Sequence, residues 1–391
     1  MQNIQDLEIL SAKTIQIITN NYLNMRNVDN NTFLSINLKS IAKNYLNIRK
    51  RVGRKCIVAS TVKGDAYGLG ASKVVPALIK EGCNNFFVAT TNEAIQLREI
   101  NKKINIYILN GLVSSSLALI EEYRLIPVIN NLAQLSRIEK YQNRHKKRLD
   151  IALHFDTGMS RLGFDKKETD ILLDNKNELI KKSKILLIMS HLACADNKKS
   201  SKNTSQLKRF LMLQKYFPNV AFSLSNSAGI LLGKKYHFDM VRPGISLYGG
   251  HCTKSEGKIY ENVVKLKAKL IQIREIYKND TIGYGGTYRA KSKMIIGTLA
   301  FGYADGFNRL FSNNYFAIYK NKKFNLVGRV SMDLITINLT AVRDLKLIKN
   351  KEIEIINDKY SINTIAKLIN TIPYEILTNL GKRYQRLYIS K

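Results

Sequence analysis

The chain has 391 residues, 45% of them apolar and 24% charged, and its 63 Lys and Arg against 30 Asp and Glu give a formal net charge of +33. This length and composition exclude a small disulfide scaffold and a wholly disordered chain, and they allow one large barrel with an additional domain. No run approaches the roughly 18 consecutive apolar residues of a membrane-spanning helix. The opening segment carries Asp6 and Glu8 where a signal peptide would be basic, so we expect a cytoplasmic protein with no membrane partner.

The large positive charge raises the hypothesis of a nucleic-acid-binding protein. The basic residues are spread from Lys13 to Lys391, however, and form no stripe interleaved with stacking aromatic residues. We therefore expect a solvated basic surface and no nucleic-acid partner. Four cysteines without CxxC spacing indicate packing roles in a reducing compartment; they are Cys56, Cys83, Cys194 and Cys252.

The first part of the chain alternates between β-rich runs and amphipathic helical stretches. Residues 1–32 are predicted to be an N-terminal extension, and residues 33–262 a barrel domain. After a first run at 34–38, the predicted strands lie at 56–62, 85–90, 104–109, 126–129, 150–155, 185–191, 220–225 and 240–249. This alternation predicts an α/β fold with a (β/α)8 TIM-type barrel, and a doubly wound parallel sheet is the second choice.

The pattern changes from about Val263 to short alternating β segments separated by Gly-rich turns. Residues 263–391 are therefore predicted to form a second, mainly β domain. The stretch 251–262 between the two is polar, as a domain boundary often is.

Polar side chains fall where several predicted strands end. In a parallel barrel these ends meet at one mouth, which is where chemistry gathers. The polar residues at or after these ends are Lys63, Arg161, His191, Asn226 and Ser227, and Arg242 belongs to the last predicted strand.

Lys63 follows an apolar run and opens a Gly-Asp-Ala-Tyr-Gly-Leu-Gly turn, where desolvation and nearby cations can lower a lysine pKa enough for Schiff-base chemistry. Ser227 and the backbone amides of Gly244 and Ile245 are the groups that barrels use to bind phosphate after their last strands. A Schiff-base lysine together with a phosphate cradle predicts pyridoxal phosphate as the cofactor.

Eight short motifs, in this order and spacing, resemble those of the bacterial alanine racemases, which are fold-type III pyridoxal phosphate enzymes. The resemblance runs from about Leu34 to Leu387. The motifs are VKGDAYGLG (62–70), HFDTGMSRLGF (154–164), SHLACAD (190–196), SNSAG (225–229), RPGISLYG (242–249), GYGGTY (283–288), GYADGF (302–307) and VGRVSMD (327–333).

The resemblance implies a two-base racemisation of alanine that supplies D-alanine for peptidoglycan. Lys63 would carry the cofactor and act as the base on the D-face of the substrate, and Tyr284 of the other subunit would act on the opposite face. His191 and Arg242 would tune Tyr284, and Arg242 would also face the pyridine nitrogen. A homodimer with shared active sites follows, because Tyr284 must come from the partner.

The same resemblance assigns the binding residues. The cofactor phosphate would be surrounded by Tyr67, Asn226, Ser227, Gly244 and Ile245. Arg161 would bind the cofactor phenolate and assist substrate binding, and Met332 and Asp333 of the partner would bind the substrate carboxylate. We expect no metal ion.

The chain departs from the family pattern at several positions. Asp65 places a possible carboxylate near the cofactor, and His154 stands where many members have a carbamylated lysine. Ser331 replaces a common cysteine, and Lys382 falls near the place of a phosphate-binding tyrosine in some members. Structural roles are the simpler interpretation for His154, His237, His251 and Asp305.

Three alternatives stay open at this stage. A broad-specificity or serine racemase would use the same scaffold with a different substrate pocket. A noncatalytic pyridoxal phosphate carrier would lack the β domain and the second base. A nucleic-acid-binding protein would be retained on DNA in a salt-sensitive manner.

Overall fold

The structure is a computed structural model that describes residues 31–390 except 113–116, 176–179, 181–182 and 254–258. Residues 1–30 of the predicted extension lie outside the described residues. The chain forms two compact units. The barrel unit comprises Ile36–Val264, Asp358–Leu380 and the last residues from Tyr388, and the β unit comprises residues 31–35, Lys265–Asn357 and Gly381–Leu387. The predicted domain limits 33–262 and 263–391 stay a prediction.

Parallel strands form the centre of the barrel unit. After β1 (Thr32–Asn37), the barrel strands are β2 (Ile57–Val58), β3 (Ser60–Thr61), β4 (Asn85–Val88), β5 (Asn105–Ile108), β6 (Ile126–Ile129), β7 (Asp150–His154), β8 (Lys184–Met189), β9 (Ala221–Ser223) and β10 (Met240–Val241). Neighbours from β3 to β9 pair in chain order, each parallel to the next.

Hydrogen bonds at β10 close this sheet on itself. β10 pairs in parallel with β2, and the Ala59 amide donates to the Val241 carbonyl over 2.9 Å. On its other edge the Arg242 amide donates to the Ser225 carbonyl just beyond β9, also over 2.9 Å. Since β2 and β3 are one strand interrupted at Ala59, the barrel has eight strands. The predicted (β/α)8 barrel is confirmed, and a doubly wound sheet, which stays open, is excluded.

Helices follow the barrel strands, and side-chain caps fix where several of them begin. The helices of eight residues or more are Leu38–Val52, Ala71–Lys80, Thr91–Ile100, Leu132–His145, Lys166–Asp174 and Ser201–Met212. The shorter ones are Lys63–Tyr67, Leu117–Glu122, Ser227–Ile230, Ile362–Leu368 and Pro373–Thr378. The side chains of Asn37, Thr90, Asn131 and Asp165 each accept from a backbone amide of the helix that follows.

The last predicted strand, 240–249, is much shorter than expected. β10 ends at Val241, and a 3-10 turn spans Ile245–Tyr248. The Pro243 carbonyl still accepts from the Thr61 amide over 2.9 Å, but Pro243 has no amide hydrogen to donate, and the regular pairing ends there. The turn brings the backbone of Gly244 and Ile245 to the mouth of the barrel.

The barrel interior is filled by apolar side chains from successive strands. The cluster consists of Ala59, Phe87, Tyr107, Ile126, Val128, Ala152, Leu187, Met189 and Met240, each less than 5% exposed. Because these apolar side chains fill the interior, the candidate polar residues lie at the strand ends.

The β unit is built on antiparallel pairing. Its strands are β11 (Val264–Ile276), β12 (Thr281–Ile282), β13 (Tyr288–Arg289), β14 (Met294–Leu299), β15 (Phe316–Tyr319), β16 (Lys322–Asn325), β17 (Ile335–Asn338), β18 (Glu352–Ile356) and β19 (Gln385–Ile389). The long strand β11 pairs with β14 at Leu270–Leu299 and with β18 at Leu266–Ile356. This confirms the second, mainly β domain.

In the part of the chain that the structure describes, no helix is both long enough and apolar enough to span a bilayer.

Candidate active site

Lys63 opens a left-handed turn at the end of β3. Gly64, Asp65, Ala66 and Tyr67 all have φ between 54° and 63°. Three of these are not glycine, and left-handed backbone costs such residues about 1–2 kcal/mol each. Strain of this kind persists only where the surroundings impose it, and it is concentrated at functional sites. The turn therefore sets the direction of Lys63 with unusual rigidity.

The charge on Lys63 is destabilised by its surroundings. Its side chain remains accessible to solvent, but partial loss of hydration lowers its pKa, and the nearby Arg161 guanidinium lowers it further. The Glu93 carboxylate opposes both effects. A lowered pKa raises the fraction of neutral, nucleophilic amine at a given pH.

Asp65 directs one of its carboxylate oxygens to the start of the next helix. Its Oδ1 accepts from the amide of Ala71 over 2.7 Å, at the first turn of helix Ala71–Lys80. Its main-chain carbonyl accepts from the amide of Gly70. This departure from the family pattern therefore stabilises the end of the turn.

Arg242 lies buried at the end of β10. Its guanidinium donates to the carbonyls of Ser223 over 2.9 Å and Ser190 over 2.6 Å, and its Nη2 lies 3.4 Å from His191 Nδ1. Burial lowers the pKa of Arg242 to about 9, so it keeps its charge at neutral pH.

His191 is held as a neutral imidazole. Its Nδ1 faces Arg242, and its Nε2 lies 3.3 Å from the amide nitrogen of Asn226. Both ring nitrogens thus face N–H groups, which disfavours a protonated ring. Burial, and then the Arg242 charge, hold the pKa of His191 well below its usual range.

Asn226 and Ser227 form a polar cradle with the Gly244 loop. Asn226 Oδ1 caps the short helix Ser227–Ile230 by accepting from the Gly229 amide over 2.9 Å. The Ser227 hydroxyl oxygen accepts from the amides of Gly244, over 2.9 Å, and Ser246, over 3.4 Å. Its hydroxyl hydrogen is therefore left to donate to an anion.

Tyr67 completes this cradle. A Cβ on Gly244 would lie 2.1 Å from the Tyr67 hydroxyl oxygen, so the absence of a side chain at Gly244 lets the phenol approach. Burial raises the pKa of Tyr67, which keeps it protonated as a donor. Its ring centroid is 4.8 Å from that of Tyr248 and 6.0 Å from that of Tyr374.

Tyr374 is a candidate that sequence reasoning missed. It lies in helix Pro373–Thr378, which belongs to the barrel unit although 358–380 follows the β segments in the chain. The sequence pointed instead to Lys382. Only the return of the chain to the barrel places a second tyrosine beside Tyr67.

The Gly244→Ala variant should lose affinity for a phosphate ligand. The added methyl group must displace the Tyr67 ring, which is packed against two other tyrosines, and overpacking of this kind costs about 1–3 kcal/mol. We expect the Kd for pyridoxal phosphate, measured by absorbance titration, to rise about 10- to 100-fold. A Tyr67→Phe variant keeps the ring and should show a smaller loss, and an unchanged Kd for Gly244→Ala would contradict this assignment.

Arg161 lies in the loop after β7, and Asp156 organises that loop. Both carboxylate oxygens of Asp156 accept from loop amides, including those of Gly158 and Ser160 at 2.8 Å. Arg161 is exposed at the end of this loop. The nearby Lys63 experiences its charge, which places the two cations at the same mouth.

His154, at the end of β7, is buried and held by Asn130. Both amide hydrogens of Asn130 go to carbonyls, at Leu109 and Val128, so its Oδ1 is the atom that faces His154 Nδ1 at 2.8 Å. Burial lowers the pKa of His154 to about 3. The ring is therefore neutral, with Nδ1 protonated.

The remaining candidates lie in the β unit. Tyr284 is 73% exposed in the turn Tyr284–Gly286, where Gly283, Gly285 and Gly286 all have positive φ. Gly285 has φ 69°, a backbone conformation that glycine adopts without strain, so the turn favours a glycine there.

Met332 and Asp333 lie in a loop that the GYADGF motif supports. The amide of Ala304 donates to the Met332 carbonyl over 3.0 Å. Arg383 donates to Asp333 Oδ1 over 2.7 Å and, over 3.0 and 3.1 Å, to both carboxylate oxygens of Asp305. Asp305 is buried and thus has the supporting role expected for it.

The Asp305→Ala variant should destabilise the β unit. The substitution removes the acceptor of the Gly302 amide and of the Arg383 guanidinium. Hydrogen bonds to charged groups contribute about 1.5–3 kcal/mol each, so we expect the unfolding free energy to fall by about 2–4 kcal/mol in denaturant titration. Asp344→Ala, which removes an exposed turn cap, should cost about 1 kcal/mol or less. Equal losses in the two variants would contradict this role.

Among the described residues, no three or more His, Cys, Asp or Glu side chains come together so as to hold a metal ion.

The fold and the site define a class of barrel enzymes in which a lysine suited to imine chemistry lies beside an anion cradle, with a β unit following the barrel. Sequence models of known protein families identify the family within this class to which the chain belongs. The model of the alanine racemase N-terminal domain matches residues 36–252, and that of the alanine racemase C-terminal domain matches residues 263–388. The chain belongs to the alanine racemase family.

Individual relatives agree with this assignment. The alanine racemase of Rickettsia rickettsii (strain Sheila Smith) is 42% identical over 357 residues, which cover 91% of this chain and 98% of the relative. The alanine racemase of Bartonella henselae, solved with covalently bound pyridoxal phosphate, is 34% identical with a TM-score of 0.88 over 92% of this chain and 100% of its own. The biosynthetic alanine racemase of Pseudomonas aeruginosa is 29% identical with a TM-score of 0.84 over 93% and 100%.

Proposed function

We propose that this protein is an alanine racemase that interconverts L-alanine and D-alanine with pyridoxal phosphate as its cofactor. One observation carries the proposal: the carboxyl ends of the barrel strands bring Lys63, the Arg242–His191 pair and the Ser227–Gly244 cradle to one mouth. Membership in the family, and the covalently bound cofactor of the Bartonella henselae enzyme, support it.

The residues at this mouth fit pyridoxal phosphate. Lys63 offers an amine with a lowered pKa for covalent attachment to the aldehyde. Ser227 and Tyr67 would donate hydroxyl hydrogens to the phosphate, together with the Ile245 amide. Gly244, whose own amide donates to the Ser227 hydroxyl oxygen, would line the cradle, and Asn226 would hold the helix that carries Ser227. When bound, the cofactor withdraws electrons from Cα of the amino acid and so acidifies its hydrogen.

Arg242 and Arg161 would bind two different polar atoms of the cofactor ring. Arg242 would donate to the pyridine nitrogen while keeping its own proton, since a guanidinium is a weak acid. The nitrogen would then stay unprotonated, which limits electron withdrawal into the ring and disfavours transamination as a side reaction. Arg161 would donate to the phenolate oxygen.

Racemisation requires that a proton leave Cα on one face and return on the other, and two bases on opposite sides satisfy this requirement. Lys63 would hold the proton at Nζ on one face, and Tyr284 would hold it at its phenol oxygen on the other. Lys63 lies in the barrel unit and Tyr284 in the β unit. Met332 and Asp333 would shape the substrate pocket on the side of Tyr284.

We infer a homodimer whose active sites are shared, with Tyr284 of one subunit acting beside Lys63 of the other. In the β unit, Tyr284 is 73%, Leu310 65% and Met332 53% exposed, so these side chains are accessible to a partner subunit.

In the cell, the proposed role is to supply D-alanine for peptidoglycan from the cytoplasm. The substrate is a small amino acid, and neither nucleic acid nor membrane is proposed as a partner. Retention on DNA at physiological ionic strength would contradict this part of the proposal.

The proposed function is tested by incubating the purified protein with pyridoxal phosphate and L-alanine and following D-alanine by chiral separation, with L-serine in parallel. We expect alanine to approach an equal mixture and serine to react far more slowly. If serine were racemised faster than alanine, serine would replace alanine as the proposed substrate. Cofactor binding without racemisation of either amino acid would overturn the proposed function.

A further inference from the structure

Glu93 caps the start of its own helix. It is the third residue of helix Thr91–Ile100, and its Oε2 accepts from the amides of Thr90, over 3.2 Å, and Ala89, over 2.8 Å. Thr90 in turn accepts from the Glu93 amide, which completes a capping box. These contacts use one carboxylate oxygen.

The other oxygen of Glu93 reaches outside its own helix. Oε1 accepts from the amide of Gly64 over 2.6 Å, 29 residues earlier in the chain and directly after Lys63. A short bond from a backbone amide to a carboxylate is among the strong hydrogen bonds in proteins. Glu93 thus ties the left-handed turn after β3 to the loop after β4, and a helix cap does not require this contact.

Glu93 also contributes to the charge around Lys63. Arg161 and His191 face Lys63 from the loops after β7 and β8, and Glu93 faces it from the loop after β4. His191 is neutral, and Asp65 bonds the Ala71 amide. Loss of hydration and Arg161 lower the pKa of Lys63, whereas Glu93 raises it.

We propose that Glu93 is a positioning residue for Lys63: its carboxylate holds the Gly64 amide, and so the turn that aims the lysine, and its charge offsets that of Arg161. The proposal rests on the proposed function, because it assigns a task to a residue that does not itself touch the substrate or the cofactor. It explains how a turn with three left-handed non-glycine residues is maintained at this mouth.

Three variants of the full chain separate these effects. Glu93→Gln keeps the shape but loses the charge and one acceptor. Glu93→Asp keeps the charge but is one methylene too short to bridge. Glu168→Gln is the matched control. Like Glu93, Glu168 is half-buried and is the third residue of a capped helix, and it also accepts from a distant amide, that of Leu132, over 3.0 Å.

The first readout is the pH at which the Lys63 amine is half reactive in the full chain freed of cofactor, measured by competitive acetylation with acetic anhydride and mass spectrometry. Removing a neighbouring negative charge lowers the pKa of a lysine, so the midpoint of Glu93→Gln should move to lower pH by about 1 unit. Glu93→Asp should shift less, and Glu168→Gln should match the wild type.

The second readout is the rate at which pyridoxal phosphate attaches to Lys63, followed by absorbance. It should fall about tenfold in Glu93→Asp, because the lysine is no longer aimed by the Gly64 bond. A folded Glu93→Gln variant with a wild-type midpoint, or an equal shift in Glu168→Gln, overturns the proposal. If Glu93→Gln does not fold, a wild-type attachment rate in Glu93→Asp overturns it.

These readouts do not depend on racemisation. Should the wild-type protein leave L-alanine unchanged, the proposed function fails, while the acetylation midpoints still decide whether Glu93 acts on Lys63.

Discussion

Replacing Lys63 with alanine is expected to abolish racemisation and covalent attachment of the cofactor together. The substitution removes both the attachment point and one of the two proposed bases. General base catalysis alone contributes about 10²–10⁴-fold, so the rate of D-alanine formation should fall by at least about 10⁴-fold once attachment is also lost. The fold should persist, because the Lys63 side chain is exposed and its neighbours in the turn are held by main-chain bonds.

Lys73→Ala provides the control for this variant. Lys73 is an exposed lysine in helix Ala71–Lys80, ten residues further along the same segment. It should retain wild-type activity and the absorbance of the lysine-bound cofactor. A Lys63→Ala variant with full activity would remove Lys63 from the mechanism altogether.

The barrel was predictable from sequence because a parallel barrel has a simple chemical signature. Its strands are buried on both faces, so they appear as short apolar runs, and the intervening helices appear as amphipathic stretches. The observed strands β4 to β8 lie inside the predicted runs or within a residue of them. The predicted strand 240–249 was too long because apolar character alone does not show that Pro243, which accepts from Thr61 but cannot donate, ends the regular pairing.

The cradle was only partly predictable. Ser227 follows the predicted strand 220–225 and Gly244 lies within the last predicted strand, 240–249, where a barrel places phosphate-binding groups, so the sequence pointed to them. Tyr374 follows the β segments by many residues and joins the barrel unit only because the chain returns to it. The composition of residues 358–380 does not indicate that this segment belongs to the barrel unit.

The roles of the carboxylates could not be predicted from their positions. Asp65 looked like a charge near the cofactor because it follows Lys63 closely, yet the left-handed turn directs it to the Ala71 amide. Glu93, which the sequence analysis did not single out, caps its own helix and also reaches Gly64. In both cases the outcome depends on φ and ψ at a few residues, which apolar periodicity does not specify.

Replacing Tyr284 with phenylalanine is expected to remove one of the two proton transfers and leave the other. The ring stays, so packing should change little, but the hydroxyl that would hold the proton is gone. The rate of racemisation should fall by about 10²–10⁴-fold. In D₂O, exchange of the Cα hydrogen of L-alanine should be lost while exchange of D-alanine, on the Lys63 face, survives. Loss of both exchanges to the same extent would contradict the assignment of one base to each face.

Mixing the two inactive variants tests whether the active site is shared between subunits. If Tyr284 acts in the partner's site, a dimer of one Lys63→Ala and one Tyr284→Phe subunit contains one site with both bases intact. Random exchange makes about half of the dimers mixed, so activity should return to about one quarter of the wild-type value. If both bases came from the same chain, each site would lack one of them and the mixture would stay inactive. An equal mixture of wild-type and Lys63→Ala protein provides the reference activity. About half of the wild-type activity should remain after free exchange, whether the two bases come from one subunit or from two.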